Sequence, residues 1–400
     1  MLAYNEALEI IKKEFNNITL KIEEVDLLDS TNRILVEDVI ADIDLPPFDN
    51  SAMDGYAIKF TYRKNWKIIG EISAGHYSSL NLNEEQAILI TTGSKIPNNA
   101  DTVIPLEDVL IEGENLKLMK GVLVKKGMNI RLKGNDLSKG SAALNKFTRV
   151  DSKAIAALAS CGRGSVKVFS KLNIVILATG DELIPVGEIP TKDKIRASNS
   201  FALASAVKEI NHTPIMLGFV KDDKEILRQK IKSAFEMDID MLITTGGVSV
   251  GKYDFLREVF KEENAKELFW KVNIKPGKPT FFGVYEKGEK KIPIFGLPGN
   301  PVSSLVGFHI FIKPAIEYLF KQKSSKTFSA VLADDIIKTD GKKYFSRGIR
   351  YEENGEWKVT AKFSQSSGNL VEMSRANCLI IIGEEKKNLT KGERVECILM

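Results

Sequence analysis

One stretch, MLITTGGVSVGKYDF from Met241 to Phe255, constrains the fold of this chain more than any other. It begins as an apolar run, Met241-Leu242-Ile243, with the composition of a buried strand, and breaks at Thr244-Thr245-Gly246-Gly247. It then passes through Val248-Ser249-Val250-Gly251 and Asp254 into an apolar-periodic helix pattern. Paired glycines just after a strand let backbone approach a bound group closely and aim several N–H donors at it, which is how a chain holds an anion. The spacing from Gly246 to Lys252 matches G-x-x-x-x-G-K, but Tyr253 stands where a P-loop needs Ser or Thr for Mg²⁺. The stretch therefore reads either as an anion-cradling turn of another kind or as a structural corner.

The surrounding sequence supports the first reading. From Lys171 the pattern alternates strand and helix: a strand at Leu172–Ala178 leading into Thr179-Gly180-Asp181-Glu182, a helix from Ser198 to Glu209, a strand at Thr213–Val220, and a helix opened by Asp222-Asp223. This alternation predicts a doubly wound α/β domain with a parallel sheet, whose ligands gather at the carboxyl ends of the strands. Gly180-Asp181-Glu182, Asp222 and Gly246-Gly247 all fall on that edge. Two further turns reach it. WKVNIKPGKPTFFG presents Lys271, Lys275 and Lys278 around Pro276-Gly277, suited to phosphate or oxyanion charge. FGLPGNPVSSLVGF brackets Gly299-Asn300 with Pro298 and Pro301 and starts a helix carrying Ser303 and Ser304, a ready anion site.

Four hundred residues exceed one ordinary core and predict two to four domains. Residues 3 to 15 read as an amphipathic helix, and DSKAIAALAS (151–160) as another, with Asp151 as N-cap and Gly162 as stop. Residues 66–133 are short apolar runs between Gly, Asn and Pro, a β-rich insert. The expected boundaries are 1–45 with 137–170 as one split domain, 46–136 as the insert, 171–322 as the α/β domain and 326–400 as an all-β domain. The segment DLPPFDNSAMDGYAI places Asp44, Asp49 and Asp54 among small or apolar residues, as turn formers or as functional carboxylates. Arg131, Lys133 and Asp136 stand close together in NIRLKGND, a solvated face unless they meet a ligand. FSRGIR and SQSSGN in the last domain read alike as surface decoration or as site elements.

A net charge of +4 without a long basic run argues against nucleic acid as a partner. The three cysteines and three histidines are scattered, which leaves little material for a zinc site or a disulfide framework and fits a reducing compartment. No window approaches the ~18 apolar residues of a membrane span, and the N-terminus is no signal peptide, so a cytoplasmic protein is expected.

Seven motifs occur in order: DLPPFDNSAMDGYA, TTGSKIP, IRLKGND, ILATGDEL, TTGGVSVGKYDF, IKPGKP and LPGNPVSS. Together they closely resemble the MoeA family of molybdopterin molybdenumtransferases, which includes the E domains of gephyrin-like proteins. The resemblance implies an elongated four-domain subunit ending in a small β-barrel-like domain, in a homodimer whose cleft is shared between subunits. It implies insertion of molybdenum from molybdate into adenylylated molybdopterin, with a divalent cation such as Mg²⁺ and release of AMP. Carried over by motif, Asp54, Asp136, Glu182, Asp254, Lys275 and Lys278 would serve the chemistry. Thr92, Arg131, Gly246, Gly247, Ser249, Pro298, Pro301, Ser303, Arg347 and Ser367 would bind substrate. Asp222 and Asp254 would hold the metal ion, and Lys252 and Tyr253 take no role. Two other classes compete: a molybdopterin adenylyltransferase, because the α/β domain alone resembles that fold, and a non-catalytic gephyrin-like scaffold that binds a partner peptide.

Overall fold

The computed structural model describes residues 1–76, 80–247, 255–323 and 327–400. The chain divides into two compact units, one formed by residues 24–168 and the other by residues 1–23 together with 169–400. Helix α1 (Tyr4–Phe15) forms because Ala7, Ile11 and Phe15 recur on one face, and all three are buried. An amphipathic stripe specifies a buried face but not its neighbour. Here the neighbours lie in the 169–400 portion: Tyr4 donates its hydroxyl to the Ile310 carbonyl at 3.1 Å, and the Phe15 ring sits 6.3 Å from that of Phe295.

Residues 24–168 contain a six-stranded sheet made of β1 (Gly55–Ile58), β2 (Asn65–Ile72), β3 (Gln86–Ile90), β4 (Thr102–Pro105), β5 (Val109–Glu112) and β6 (Asn115–Leu118). Its order is β4-β1-β3-β2-β6-β5. Tyr56, Ile58, Trp66, Ala87, Ile104 and Leu116 fill its core. Gly55 is required where β1 meets β4, because a Cβ there would lie 2.1 Å from the Ile104 carbonyl oxygen. Helix α2 (Ser152–Ser160) starts as the sequence predicts: the Asp151 carboxylate accepts from the N–H groups of Lys153 and Ala154 at 3.0 and 2.9 Å. It buries Ala154 and Leu158 in a separate core with Leu35, Val39, Val150, Val166 and Val168.

The second unit alternates β7 (Asn173–Thr179), α3 (Ser198–Glu209), β8 (Thr213–Val220), α4 (Lys224–Glu236), β9 (Met241–Thr245) and α5 (Leu256–Glu262). Then follow β10 (Lys266–Trp270), β11 (Ile274–Lys275), β12 (Phe281–Lys287), β13 (Lys290–Leu297), α6 (Pro301–Gly307) and α7 (Lys313–Leu319). The sheet order is β8-β7-β9-β13-β12-β10. The first four strands are parallel, as expected, and β12 and β10 extend them antiparallel. Helices α4 and α5 cover one face, packing Leu227, Ile231, Val259 and Phe260 against Val175, Leu242 and Ile294.

The last element group is β14 (Thr327–Leu332), β15 (Lys343–Glu353), β16 (Glu356–Thr360), α8 (Leu370–Arg375), β17 (Cys378–Ile382) and β18 (Arg394–Leu399). The strands run β15-β16-β14-β18-β17, and β17 pairs back onto β15, closing a small barrel without open edges. Its interior is Ala330, Leu332, Val359, Ile380 and the free cysteines Cys378 and Cys397. Strand β11 joins the barrel in parallel to β15, pairing Ile274 with Lys343 and Lys275 with Tyr344. No described helix is long and apolar enough to cross a membrane.

Candidate active site

Because β11 is a strand of the barrel seam and the turn after it returns to the sheet, the lysines of IKPGKP stand at the wall of a cleft. The cleft measures about 510 Å³ and is lined by the 274–279 turn, Pro298, Asn300 and Ser303, and by barrel residues including Thr339, Tyr344 and Ser367. The turn is built by a cis Lys275–Pro276 bond and by Gly277 at φ 93°. Thr280 locks it by donating its hydroxyl to the Gly277 carbonyl at 2.7 Å. The Lys275 ammonium donates to the Tyr344 hydroxyl at 3.1 Å and reaches the Thr339 hydroxyl at 3.5 Å. Both partners are uncharged, so neither forms an ion pair with it. Lys278 is exposed, and its ammonium makes no hydrogen bond or ion pair among the described residues.

The Ser364–Asn369 loop closes the barrel side of the cleft, and Arg347 holds it. The guanidinium is 1% exposed and donates to the carbonyls of Asn369 at 3.0 Å, Ser364 at 2.6 Å and Ser366 at 3.0 Å. The family resemblance places Arg347 beside the substrate, and the local sequence alone would leave it on the surface. The structure puts it inside, bracing the loop, because three converging carbonyls satisfy a fixed fork of N–H donors. Ser367 does reach the cleft. Its carbonyl accepts from the Val302 N–H at 3.1 Å, so one of the free donors expected at the Pro301 helix start is spent on the barrel loop. Ser303, 3% exposed, lines the cleft from the same helix.

The Gly246-Gly247 corner lies at the carboxyl edge, fixed by contact with β7. Both glycines have positive φ, 90° and 61°. A Cβ on Gly246 would lie 2.3 Å from the Thr179 carbonyl oxygen. The Gly246 N–H donates to the Leu297 carbonyl at 3.1 Å, so this donor serves the fold. The corner is tied to the Pro298–Pro301 turn through Thr245, whose hydroxyl donates to the Pro298 carbonyl at 3.1 Å and meets the Ser304 hydroxyl at 3.1 Å. Asn199 completes the tie, donating to the Thr245 hydroxyl at 2.9 Å and to the Gly299 carbonyl at 2.7 Å. The reading from sequence missed Asn199; the Ser-Asn-Ser run at the start of α3 was its only signal.

On the same edge, Asp181 accepts from the Asp222 N–H at 3.1 Å, and Glu182 is exposed, with its carboxylate folded over Gly180. Ser249 and Asp254 lie outside the described residues. Among the described residues no cluster of three or more His, Cys, Asp or Glu is arranged to hold a metal ion.

In the 24–168 unit the remaining predicted residues form two pairs. Asp54 accepts from the Thr92 N–H at 2.6 Å and from its hydroxyl at 2.9 Å, and these bonds hold the Asp54 carboxyl below the usual carboxylate range. Arg131 donates to Asp136 in an ion pair with both side chains about half exposed. Asp44 and Asp49 tie distant stretches of the chain together, accepting from the N–H groups of Lys139 and Lys133, 95 and 84 residues away, at 2.8 and 2.7 Å.

Three family models match in sequence: the MoeA N-terminal region (domain I and II) over residues 2–162, the "probable molybdopterin binding domain" over 175–318, and the MoeA C-terminal region (domain IV) over 329–400. The molybdopterin molybdenumtransferase of Haemophilus influenzae is 35% identical over 380 residues, 93% of this chain and 92% of that protein. That of Bacillus subtilis is 35% identical over 390 residues, 94% and 90%. A crystal structure of the molybdopterin biosynthesis MoeA protein from Pyrococcus horikoshii covers both chains fully, with a TM-score of 0.83 and 31% identity. With matches that run through every part of the sequence and through the fold as a whole, this chain belongs to the MoeA family, whose curated relatives are named molybdopterin molybdenumtransferase.

Proposed function

We propose that this chain inserts molybdenum from molybdate into adenylylated molybdopterin, releasing AMP, as a step of molybdenum cofactor biosynthesis. The observation that carries this reading is the cleft that Lys275 and Lys278 line, with Lys275 held by the uncharged Tyr344 hydroxyl and neither ammonium in an ion pair among the described residues. A dianionic oxyanion needs such a wall, because charge-assisted hydrogen bonds from ammonium groups replace the water it loses. Ser303 and Ser367 add hydroxyls on the facing walls.

The roles of the other residues follow from the charge that the reaction develops. Cleavage of the pyrophosphate bond leaves negative charge on phosphate. Asp222 and Asp254, with the substrate's own phosphates and water, would supply the oxygen-only donor set that Mg²⁺ prefers, and the ion would neutralise that charge. Glu182 stands on the same strand edge as Asp222. Asp54 and Asp136 orient the substrate or move protons, since molybdate loses oxygen as water. Thr92 and Arg131 present these two carboxylates. The reading includes a homodimer whose cleft is shared between subunits, drawn from the family resemblance, and a cytoplasmic location, drawn from the scattered cysteines and the lack of a membrane-span or signal-peptide pattern.

AMP release from adenylylated molybdopterin, with and without molybdate, tests it. The wild type is expected to release AMP faster with molybdate. Changing Lys275 and Lys278 together to Ala is expected to weaken molybdate affinity by roughly a hundredfold or more, the scale of two lost hydrogen bonds to charge. Molybdate affinity unchanged in that double variant would remove the oxyanion role. ATP-dependent formation of the adenylate would point to an adenylyltransferase.

A further inference from the structure

We propose that Tyr344 is the positioning residue for Lys275, holding its ammonium at the cleft wall without neutralising it; the inference rests on the oxyanion reading of that cleft. Three independent observations place the two side chains together. The ladder register pairs Lys275 of β11 directly with Tyr344 of β15. The ammonium donates to the phenolic oxygen at 3.1 Å. It also sits 4.9 Å from the centre of the Tyr344 ring, within reach of the ring's negative face. The tyrosine is itself fixed: it is 7% exposed, and its hydroxyl accepts from the Thr339 N–H at 3.3 Å and meets the Thr339 hydroxyl at 3.2 Å.

The chemistry of this arrangement differs from that of an ion pair. A carboxylate in place of the phenol would hold the lysine as firmly but would cancel the charge that attracts an oxyanion. A phenol accepts one N–H and leaves the net charge of the ammonium intact, with another of its three N–H groups open to the cleft. The outer end of the Thr339–Lys342 turn shows the opposite case, where Lys342 is paired with Asp340 and so contributes little net charge. Among the described residues, Lys275 is thereby a lysine of this wall that is held in place by neutral oxygens and makes no ion pair of its own.

The groups that face the Tyr344 ring and hydroxyl are Lys275 from β11, Lys338 at 5.5 Å from the ring centre, and the Thr339 backbone and hydroxyl, with the Asp340–Lys342 pair beyond them. Burial opposes ionisation of the phenol, while the hydrogen bonds from Thr339 and Lys275 favour it, and the phenol ends below its ordinary range. Once ionised, it would neutralise Lys275 and oppose a dianion.

Titration of the full-length protein with sodium molybdate, read calorimetrically, tests the proposal. Four proteins are compared: wild type, Tyr344→Phe, Lys275→Ala and the double variant. Tyr344→Phe keeps the ring and removes only the hydroxyl. It is expected to weaken molybdate binding about tenfold, the scale of one lost hydrogen bond to a charged group. In the double variant the losses should not multiply, because Tyr344 acts only through Lys275. Raising the pH should weaken binding in the wild type at a lower pH than in Tyr344→Phe, a shift that a merely structural tyrosine would not produce. If Tyr344→Phe binds like wild type while Lys275→Ala is weakened, the positioning role is overturned and the oxyanion cleft stands. Multiplying losses would also overturn it, since Tyr344 would then act independently. If Lys275→Ala binds like wild type, the oxyanion reading fails, and this inference with it.

Discussion

The 24–168 unit and the cleft at residues 274–279 both gather charged side chains at loop edges, but they treat charge in opposite ways. In the 24–168 unit each functional candidate is already matched: Asp54 by two donors of Thr92, and Arg131 by Asp136. In the cleft, Lys275 is held by neutral oxygens and the Lys278 ammonium has no partner among the described residues. The difference teaches that conspicuous charge in a sequence does not identify a receptive site. Charge that the fold leaves uncompensated does, because only that charge is available to a ligand without first breaking a bond.

The strongest way to break this contrast is through Arg347, a buried charge whose donors are taken up by the carbonyls of Ser364, Ser366 and Asn369. Arg347→Met should destabilise the unit by about 3–5 kcal/mol, because three buried carbonyls lose their donors. Thermal or urea unfolding measures this, and a neutral result would mean that Arg347 faces the cleft after all. Next in size is the Asp54 tether. Because its folded pKa lies below the unfolded one, the stability it contributes is full above the ordinary aspartate range. It is lost as pH falls from that range through the lower folded value. NMR titration of the Asp54 carboxyl should place its midpoint below 3.8, and Thr92→Val should move it back up. The smallest expected effect sharpens the contrast. Asp136→Asn should change stability by less than about 1 kcal/mol, as for other exposed pairs. By freeing Arg131 it should also raise weak phosphate binding to the 24–168 unit, detectable as phosphate-induced shifts of the Arg131 side-chain resonances.

Much of this architecture was legible in sequence because it is local. Asp151 and Gly162 bound a helix through groups within three residues of its ends. The strand–helix alternation from Lys171 forecast the parallel part of the sheet, and the Pro-Gly turns forecast where Lys275 and Lys278 stand. What stayed hidden depends on partners far away in the chain. The antiparallel strands β12 and β10 carry no mark of their direction. Arg347 reads as a surface or ligand-facing charge because nothing near it announces the three carbonyls that receive it. Tyr344 and Asn199 become visible only once register brings them 69 and 46 residues away from their own neighbourhoods, to Lys275 and Thr245.

The seam between β11 and β15 has a consequence for anyone wishing to handle this protein in pieces. The barrel looks like a detachable module, yet one of its ladders is supplied by Ile274 and Lys275, more than fifty residues upstream of its first strand. A cut between Phe320 and Thr327 would give one fragment carrying the lysine and another carrying the tyrosine that seats it. Neither half could then be assayed as though it kept the anion wall, and swapping barrels between relatives should be planned with residues 271–279 travelling along.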